Sequence, residues 1–371
     1  MSARPRVGIA GVHGHGRSHV EAALALGAEV ELVAVADPRG GGELPASVRV
    51  FADAAAMLDA AELDIAILST PIPTHADLAV RALESGAHVL LEKPPVVSIA
   101  EHRRVDAAAR AAGRSVQVGF QSLASAGVAG ARDLVSSGGI GDLEHIGAVG
   151  LWSRSEEYWR RSPWAGRRRT PDGGVVADGA VTNPLAHAVA TALAIAGARE
   201  PGDVRGIRTD LRRANDIETD DTSSLVIDLE SGPRIAAALS VTAPRRHEPY
   251  VLLRGSRGHA LYFYTLDLLQ VQPSGAALPR TYEFARVGLL ADLADHARSG
   301  TPLAVPLEAT GAFTAVLEAV VASPEPAVVA SDQVTVAVSG EERFRVVRGV
   351  EEWSERVAWE ARTFADLGAP W

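Results

Sequence analysis

Arg6-Val-Gly-Ile-Ala10-Gly11-Val-His13-Gly14-His15-Gly16-Arg-Ser-His19 is the stretch that decides the architecture. A short apolar run enters a glycine-rich turn, and the helical pattern of Val20 to Leu26 follows at once. A turn placed between a strand and a helix start presents backbone amides, and the positive end of the helix dipole, to an anion. Working outward, a second apolar strand from Glu31 closes on Asp37, twenty-one residues after Gly16. That distance suits a carboxylate accepting from the hydroxyls of an adenosine ribose. The pair predicts a dinucleotide site.

The turn departs from the usual spacing at one position. His13 stands where a glycine normally lets the backbone approach the pyrophosphate. Either the loop shifts to use Gly14, or the His13 ring swings aside and contacts a phosphate. His13, His15 and His19 also invite a metal, but a phosphate turn accounts for the glycines and a metal does not, so none is assigned. Asp37 repels a 2'-phosphate and Arg39 can accept one, which favours NAD and keeps NADP open.

Further along, a strand from Asp64 ends at Thr70-Pro71, and His75 opens the next helix. The strand His88 to Leu91 ends at Glu92-Lys93-Pro94, and Ser115 to Phe120 ends at Gln121. Continuous apolar strands alternating with helices predict a parallel sheet covered on both faces, with ligands at the carboxyl ends of its strands. Lys93 is the single lysine among thirty-six basic residues. A guanidinium cannot give up its proton, whereas an ammonium is a compact point charge whose pKa moves on burial, so Lys93 is assigned a chemical role.

At 371 residues the chain exceeds what one core fills, and the reading divides it into domains 1–121 and 122–371. No apolar run reaches membrane length. With no cysteine, disulfides, thiolate metal sites and cysteine nucleophiles are excluded, and the chain reads as cytoplasmic. The net charge of -10 argues against nucleic acid as a partner.

In the second domain, Trp152 to Arg169 concentrates aromatic rings and arginines, which suits stacking and forked hydrogen bonding to a polyhydroxylated or anionic small molecule. An interdomain or subunit contact is the alternative. Strand follows strand from Val204 to Val271, with short links that predict antiparallel order. The tail is read as a helix from Gly349 to Asp366, with Trp371 disordered at the terminus.

The order of glycine turn, strand-end Asp37, Thr70-Pro71 with His75, and Glu92-Lys93-Pro94 resembles the glucose-fructose oxidoreductase and inositol dehydrogenase family, Gfo/Idh/MocA. The resemblance implies an α/β plus α+β protein. Its N-terminal domain would be a Rossmann doubly wound parallel sheet. Its C-terminal domain would be built on an open, mostly antiparallel sheet whose outer face makes a homodimer or homotetramer. Cofactor contacts would fall at Gly11, His13, Gly14, Gly16, Asp37, Arg39, Thr70, Pro71, His75, Glu92, Lys93 and Gln121, and substrate contacts at Tyr158, Trp159, Arg161, Trp164 and Arg167.

The same resemblance implies a lysine near the reacting carbon and a histidine partner from the second domain. Family members commonly carry an aspartate with a histidine four residues later, but four residues after Asp178 stands Thr182, which cannot act as a base. Counting back from the helix-ending Gly197 puts His187 in the histidine slot and Asn183 in the aspartate slot. Asn183 with Pro184 also reads as a helix cap and first-turn proline, which would set 183 and 187 on one face. His187 is therefore the expected acid/base group and Asn183 the group orienting the substrate hydroxyl, with support of His187 by Asn183 or by Asp178 left open. The activity implied is hydride transfer between NAD(P) and a secondary alcohol of a sugar, polyol or sugar acid. Glycoside cleavage with a transiently used cofactor and non-catalytic dinucleotide sensing are the alternatives.

Overall fold

The apolar runs of the first 120 residues form strands of a single parallel sheet, because each is buried on both faces and can pair only with others like itself. The structure, a computed structural model, describes residues 4–171 and 173–371 and divides into two units.

The first unit runs to Ala124 and regains Val287–Thr314 later in the chain. Its elements are β1 (Arg6–Ala10), α1 (Gly16–Ala25), β2 (Glu31–Ala36), β3 (Arg49–Phe51), α2 (Ala54–Ala60), β4 (Ile65–Leu68), α3 (His75–Glu84), β5 (His88–Leu91), α4 (Ile99–Ala112) and β6 (Val116–Val118). The sheet order is β3-β2-β1-β4-β5-β6, all parallel. The winding reverses between β1 and β4, and the crevice beyond the strand ends at such a reversal is where ligands bind. Local chemistry agrees with the pattern: Ser98 caps α4 by accepting from the Glu101 N–H, and Gly113 ends it in the left-handed conformation. The division expected after residue 121 placed Val287–Thr314 in the second domain. Instead the helix Leu289–Ser299 buries Leu290, Leu293 and Ala294 in the core made by Val7, Ile9, Ile65 and Ile67.

The second unit comprises Ser125–Arg286 and Ala315–Trp371. It begins with α5 (Ala126–Ser136), β7 (Leu143–Leu151) and α6 (Ala186–Ala196). Seven strands follow: β8 (Val204–Arg213), β9 (Thr222–Leu229), β10 (Arg234–Ser240), β11 (Tyr250–Gly255), β12 (Gly258–Phe263), β13 (Leu268–Pro273) and β14 (Arg280–Glu283). After α7 (Leu289–Ser299) and α8 (Gly311–Ala322) come β15 (Ala327–Val328), β16 (Val334–Ser339), β17 (Glu342–Val347), α9 (Val350–Glu360) and α10 (Phe364–Leu367). The large sheet has the order β14-β13-β12-β11-β7-β10-β9-β8-β15 and is mostly antiparallel, with β7 and β10 paired in parallel at its centre.

One expectation is corrected here, that of a disordered terminus. The central strands of one face of the large sheet are covered by the chain's own tail. Val350, Val357, Ala358, Phe364 and Trp371 share a core with Val149, Leu151, Ala236, Ala238 and Leu252. Trp371 is 5% exposed and ordered rather than frayed, its ring packed edge-on against Phe364 and its indole N–H donating to the Arg348 carbonyl at 2.9 Å. Within the described residues, no helix is long and apolar enough to cross a membrane.

Candidate active site

In the first unit, the expected cofactor residues gather at the carboxyl ends of β1, β2, β4 and β5. Gly11 leaves β1 with φ +80°, and a Cβ there would lie 2.3 Å from the Ser69 carbonyl oxygen, so only glycine lets β1 turn this close to the end of β4. A Cβ on Gly16 would lie 1.9 Å from the Gly11 carbonyl oxygen, which fixes the start of α1 against the turn. No side chain caps the first turn of α1 and no acid stands in it, so its positive end faces the cradle unopposed. A Cβ on Gly14 would meet no atom within 4 Å, so this glycine serves the left-handed backbone of the turn rather than a close approach. His13 adopts the second of its two anticipated courses in part: its ring swings aside, but onto the Gly40 carbonyl at 3.0 Å.

Asp37 is buried, and one oxygen accepts from the Val12 N–H at 3.2 Å, tying the end of β2 to the turn. The other accepts from the Arg39 N–H and Nε at 3.0 and 3.2 Å. Burial alone would raise this carboxyl's pKa, but these donors hold it below the usual range. An ionised carboxylate at this place fits a ribose, and an uncapped helix start beside glycines without side chains fits a pyrophosphate, so the residues present fit a dinucleotide.

His75, expected among the cofactor contacts, is 1% exposed. Its Nε2 lies 2.8 Å from the Thr70 carbonyl and its Nδ1 3.1 Å from that of Pro94. It therefore braces the loop after β4 against the loop after β5. Burial pushes its pKa below the ordinary histidine value, against the pull of the carbonyls that face its ring nitrogens.

Glu92 and Lys93 follow β5 directly. Glu92 is buried, and its carboxylate gathers donors from three directions: His19 Nε2 at 2.9 Å, His15 Nε2 at 3.2 Å and the Lys93 N–H at 3.0 Å. Burial would raise the Glu92 pKa, but the two imidazoles hold it well below the usual range, and the same contact raises that of His15. The ligand atoms of His15, His19 and Glu92 lie within 4.8 Å of one another, a donor set able to hold a divalent cation. The shared carboxylate oxygen already accounts for the arrangement. Lys93 itself is half-buried. No role had been assigned to His15 or His19 beside Glu92, because 73 residues separate His19 from its partner. The available signal was their helical spacing of four, which puts both rings on one side of α1.

In the second unit, Asp178 is fully buried and organises the segment before α6. Both its oxygens accept from Arg161 Nη2, at 2.8 and 2.6 Å, and it also receives the Gly166 N–H at 3.0 Å and the Asn183 side-chain amide. The helix begins later than the sequence suggests. Its N-cap is Leu185, and Asn183 sits in the preceding turn, so 183 and 187 are not successive turns of one helix. The proline at 184 follows a residue that is anchored by its side chain rather than acting as a cap. His187 is the second residue of α6 and half-buried.

Among the expected substrate residues, Trp159 is 8% exposed and packs edge-on against Tyr158, a core position. The Arg161 guanidinium is directed at Asp178 and the Tyr158 carbonyl, and Arg167 lies 3.8 Å from Glu218. Tyr158 and Trp164 remain half-buried, each with the Arg161 guanidinium against its ring, at 3.9 and 5.1 Å from the centroid.

Known proteins resemble both parts of this chain. Residues 5–120 match the model of an oxidoreductase family with an NAD-binding Rossmann fold, and residues 128–261 match the GFO/IDH/MocA C-terminal domain. Inositol 2-dehydrogenase 3 of Saccharopolyspora erythraea is 33% identical over 143 residues, 37% of this chain and 42% of that protein. Rhizopine catabolism protein MocA of Rhizobium meliloti is 26% identical over 305 residues, 81% of this chain and 88% of that protein. Among solved structures, the WlbA dehydrogenase from Bordetella pertussis, in complex with NADH and UDP-GlcNAcA, has the same fold. It superposes with a TM-score of 0.68 at 20% identity, over 86% of this chain and 95% of that one.

Proposed function

Since the chain belongs to the Gfo/Idh/MocA oxidoreductase family, with an NAD-binding Rossmann fold in its N-terminal part, we propose that it oxidises a secondary alcohol of a sugar, polyol or sugar acid, or reduces the corresponding ketone. The observation that carries the reading is the placement of Lys93 one residue beyond Glu92 at the end of β5, at the same sheet edge as the Gly11–Gly16 turn and Asp37. NAD, held by that turn and by Asp37, supplies a hydride acceptor or donor.

The chain's own residues handle the proton and the charge. His187 takes the proton of the substrate hydroxyl, a task suited to a half-buried imidazole, and general-base help of this kind is worth about two to four orders of magnitude. The role given to the Lys93 ammonium is to stabilise negative charge developing on a substrate oxygen. Glu92 is a poor proton acceptor, because its oxygens are already engaged by three donors and the imidazoles among them lower its pKa. Instead it fixes the backbone at Lys93. Asn183, held by Asp178, orients the hydroxyl. NAD is favoured over NADP because Asp37 stays ionised, while Arg39 at its side is the group that would receive a 2'-phosphate. With no cysteine to oxidise, the protein suits a reducing cytoplasm.

The test is incubation with NAD and a panel of polyols, sugars, sugar acids and aryl glycosides, following nicotinamide absorbance and released aglycone together. Reduction of NAD by an alcohol supports the proposal. Aglycone release with no net reduction would replace it by glycoside cleavage, and silence across the panel would favour dinucleotide sensing.

A further inference from the structure

Trp152 and Arg154 continue β7 beyond its last residue as a rigid extension. Their N–H groups donate to the Ser240 and Val241 carbonyls at 2.9 Å, and the Trp152 carbonyl accepts from the Ala243 N–H at 3.0 Å. Side chains alternate along such a strand, so Trp152 and Arg154 share the face of Gly150. That face carries the start of α6, since a Cβ on Gly150 would lie 2.8 Å from Leu185. The Trp152 ring is flanked by two guanidiniums, Arg154 at 5.1 Å and Arg246 at 4.9 Å from its centroid. Arg154 also lies 4.9 Å from the Tyr158 ring, which leads on through Arg161 and Asp178 to Asn183.

The two outer arginines differ from Arg161 in one respect. Arg161 is neutralised by buried Asp178, whereas neither Arg154 nor Arg246 has an ion pair among the described residues. Two uncompensated cations beside one indole are unexpected in a chain of net charge -10, where acids are in excess. The nearest acid in sequence to Arg246, Glu248, accepts from the Thr265 hydroxyl at 2.7 Å. Burial adds a second observation. Among the described residues, the Trp152 indole N–H and the Arg154 Nε are buried donors without a hydrogen-bond partner. Buried donors are normally satisfied, so these two, on adjacent side chains of one strand face, lack an acceptor that the described residues do not supply.

We propose that Trp152, Arg154 and Arg246 form a subsite for an anionic group, carboxylate or phosphate, on the substrate, with Trp152 as its apolar floor. The substrate is then a sugar acid or a sugar phosphate rather than a neutral polyol. This deepens the hydride-transfer reading and rests on it only for the word substrate. The forked donors of arginine match both anions, and a desolvated ring face beneath them raises the strength of each charge-assisted bond.

Calorimetric titration of the NAD-saturated protein with glucose, glucuronate and glucose-6-phosphate tests it. At least one charged probe should bind about ten- to hundred-fold more tightly than glucose, the range for hydrogen bonds to charged groups. Arg246→Gln, an exposed position whose replacement leaves the fold intact, should remove most of that preference while NAD and glucose bind as before. Arg154→Gln should do the same, and whichever charged probe shows the preference in the parent protein identifies the anion. Equal binding of all three probes, no binding by either charged probe, or a preference that survives both substitutions would overturn the subsite. The hydride reading fails separately: tight arginine-dependent binding with no nicotinamide reduction by any alcohol keeps the subsite and removes the oxidoreductase.

Discussion

At the scale of single residues, the Glu92 cluster makes a pH prediction with a definite sign. His15 has a raised pKa, so its contribution to stability is full below its unfolded value of about 6.5 and is lost as pH rises through the folded one. Glu92 has a lowered pKa, so its share is present above about 4.3 and lost only as pH falls further. Replacing His15 by Gln should therefore lower the thermal midpoint more at about pH 6 than at about pH 8. An equal deficit at both values would show that the imidazole acts there without its charge. Chemical type at this scale is legible in the sequence and partnership is not. Lys93 stands out because thirty-five other basic positions use arginine, and Asp37 because of its distance from the glycine turn. The two histidines that hold Glu92 do not, since their partner follows another strand and no spacing rule links them. Arg161 is legible as a guanidinium near aromatic rings, but its engagement with Asp178 depends on the fold of the turn between them.

Elements that obey a single period were legible and those built from tertiary contact were not. The parallel strands declared themselves as apolar runs, and the hairpin at Ser256-Arg257 as a tight turn between β11 and β12. The hairpin of β16 and β17 turns at Gly340-Glu341 between two alternating runs, a weak signal beside the helical tail that follows. The start of α6 was misplaced because Asn183 has the chemistry of a cap, yet its amide is drawn to buried Asp178. Packing of α9 on β7 rests on a residue with no side chain. A Cβ on Gly147 would lie 2.7 Å from the Ala358 Cβ and 2.8 Å from its carbonyl oxygen. Gly147→Ala should push the helix off the sheet and destabilise the second unit by about 1–3 kcal/mol, as overpacking does. Chemical unfolding followed by tryptophan fluorescence would measure it, and an unchanged midpoint would mean that α9 docks elsewhere.

For the whole molecule, the fold class was legible from alternation of pattern, while the assignment of each late segment to one unit or the other was not. Helix α7 has an ordinary amphipathic sequence, and nothing in it says which core it joins. The tail shows the same limit. Terminal position argued for disorder, whereas Trp371 has enough apolar surface to close the core over Phe364. Trp371→Ala should cost about 3–5 kcal/mol, the range for emptying a buried aromatic site. Truncation before Val350 should do more, uncovering Val149, Leu151 and Leu252 and giving a species that associates as concentration rises. Light scattering across a concentration series reads this out, and a truncated chain that stays as dispersed as the full one would contradict the assignment of α9 and α10 as the cover of that face.

The proposal gives a lysine at a strand end and a histidine on α6 the work of hydride transfer from an alcohol carbon. The most direct measurement supplies NAD with sugars, polyols and sugar acids deuterated at their CH–OH carbons and reads the nicotinamide by mass spectrometry, in the parent protein and in Lys93→Arg. Deuterium should reach the nicotinamide with the parent protein, at a rate lower by about two to four orders of magnitude in Lys93→Arg with NAD binding unchanged. Deuterium arriving at the same rate in Lys93→Arg, or none arriving from any alcohol in the parent protein, would contradict it.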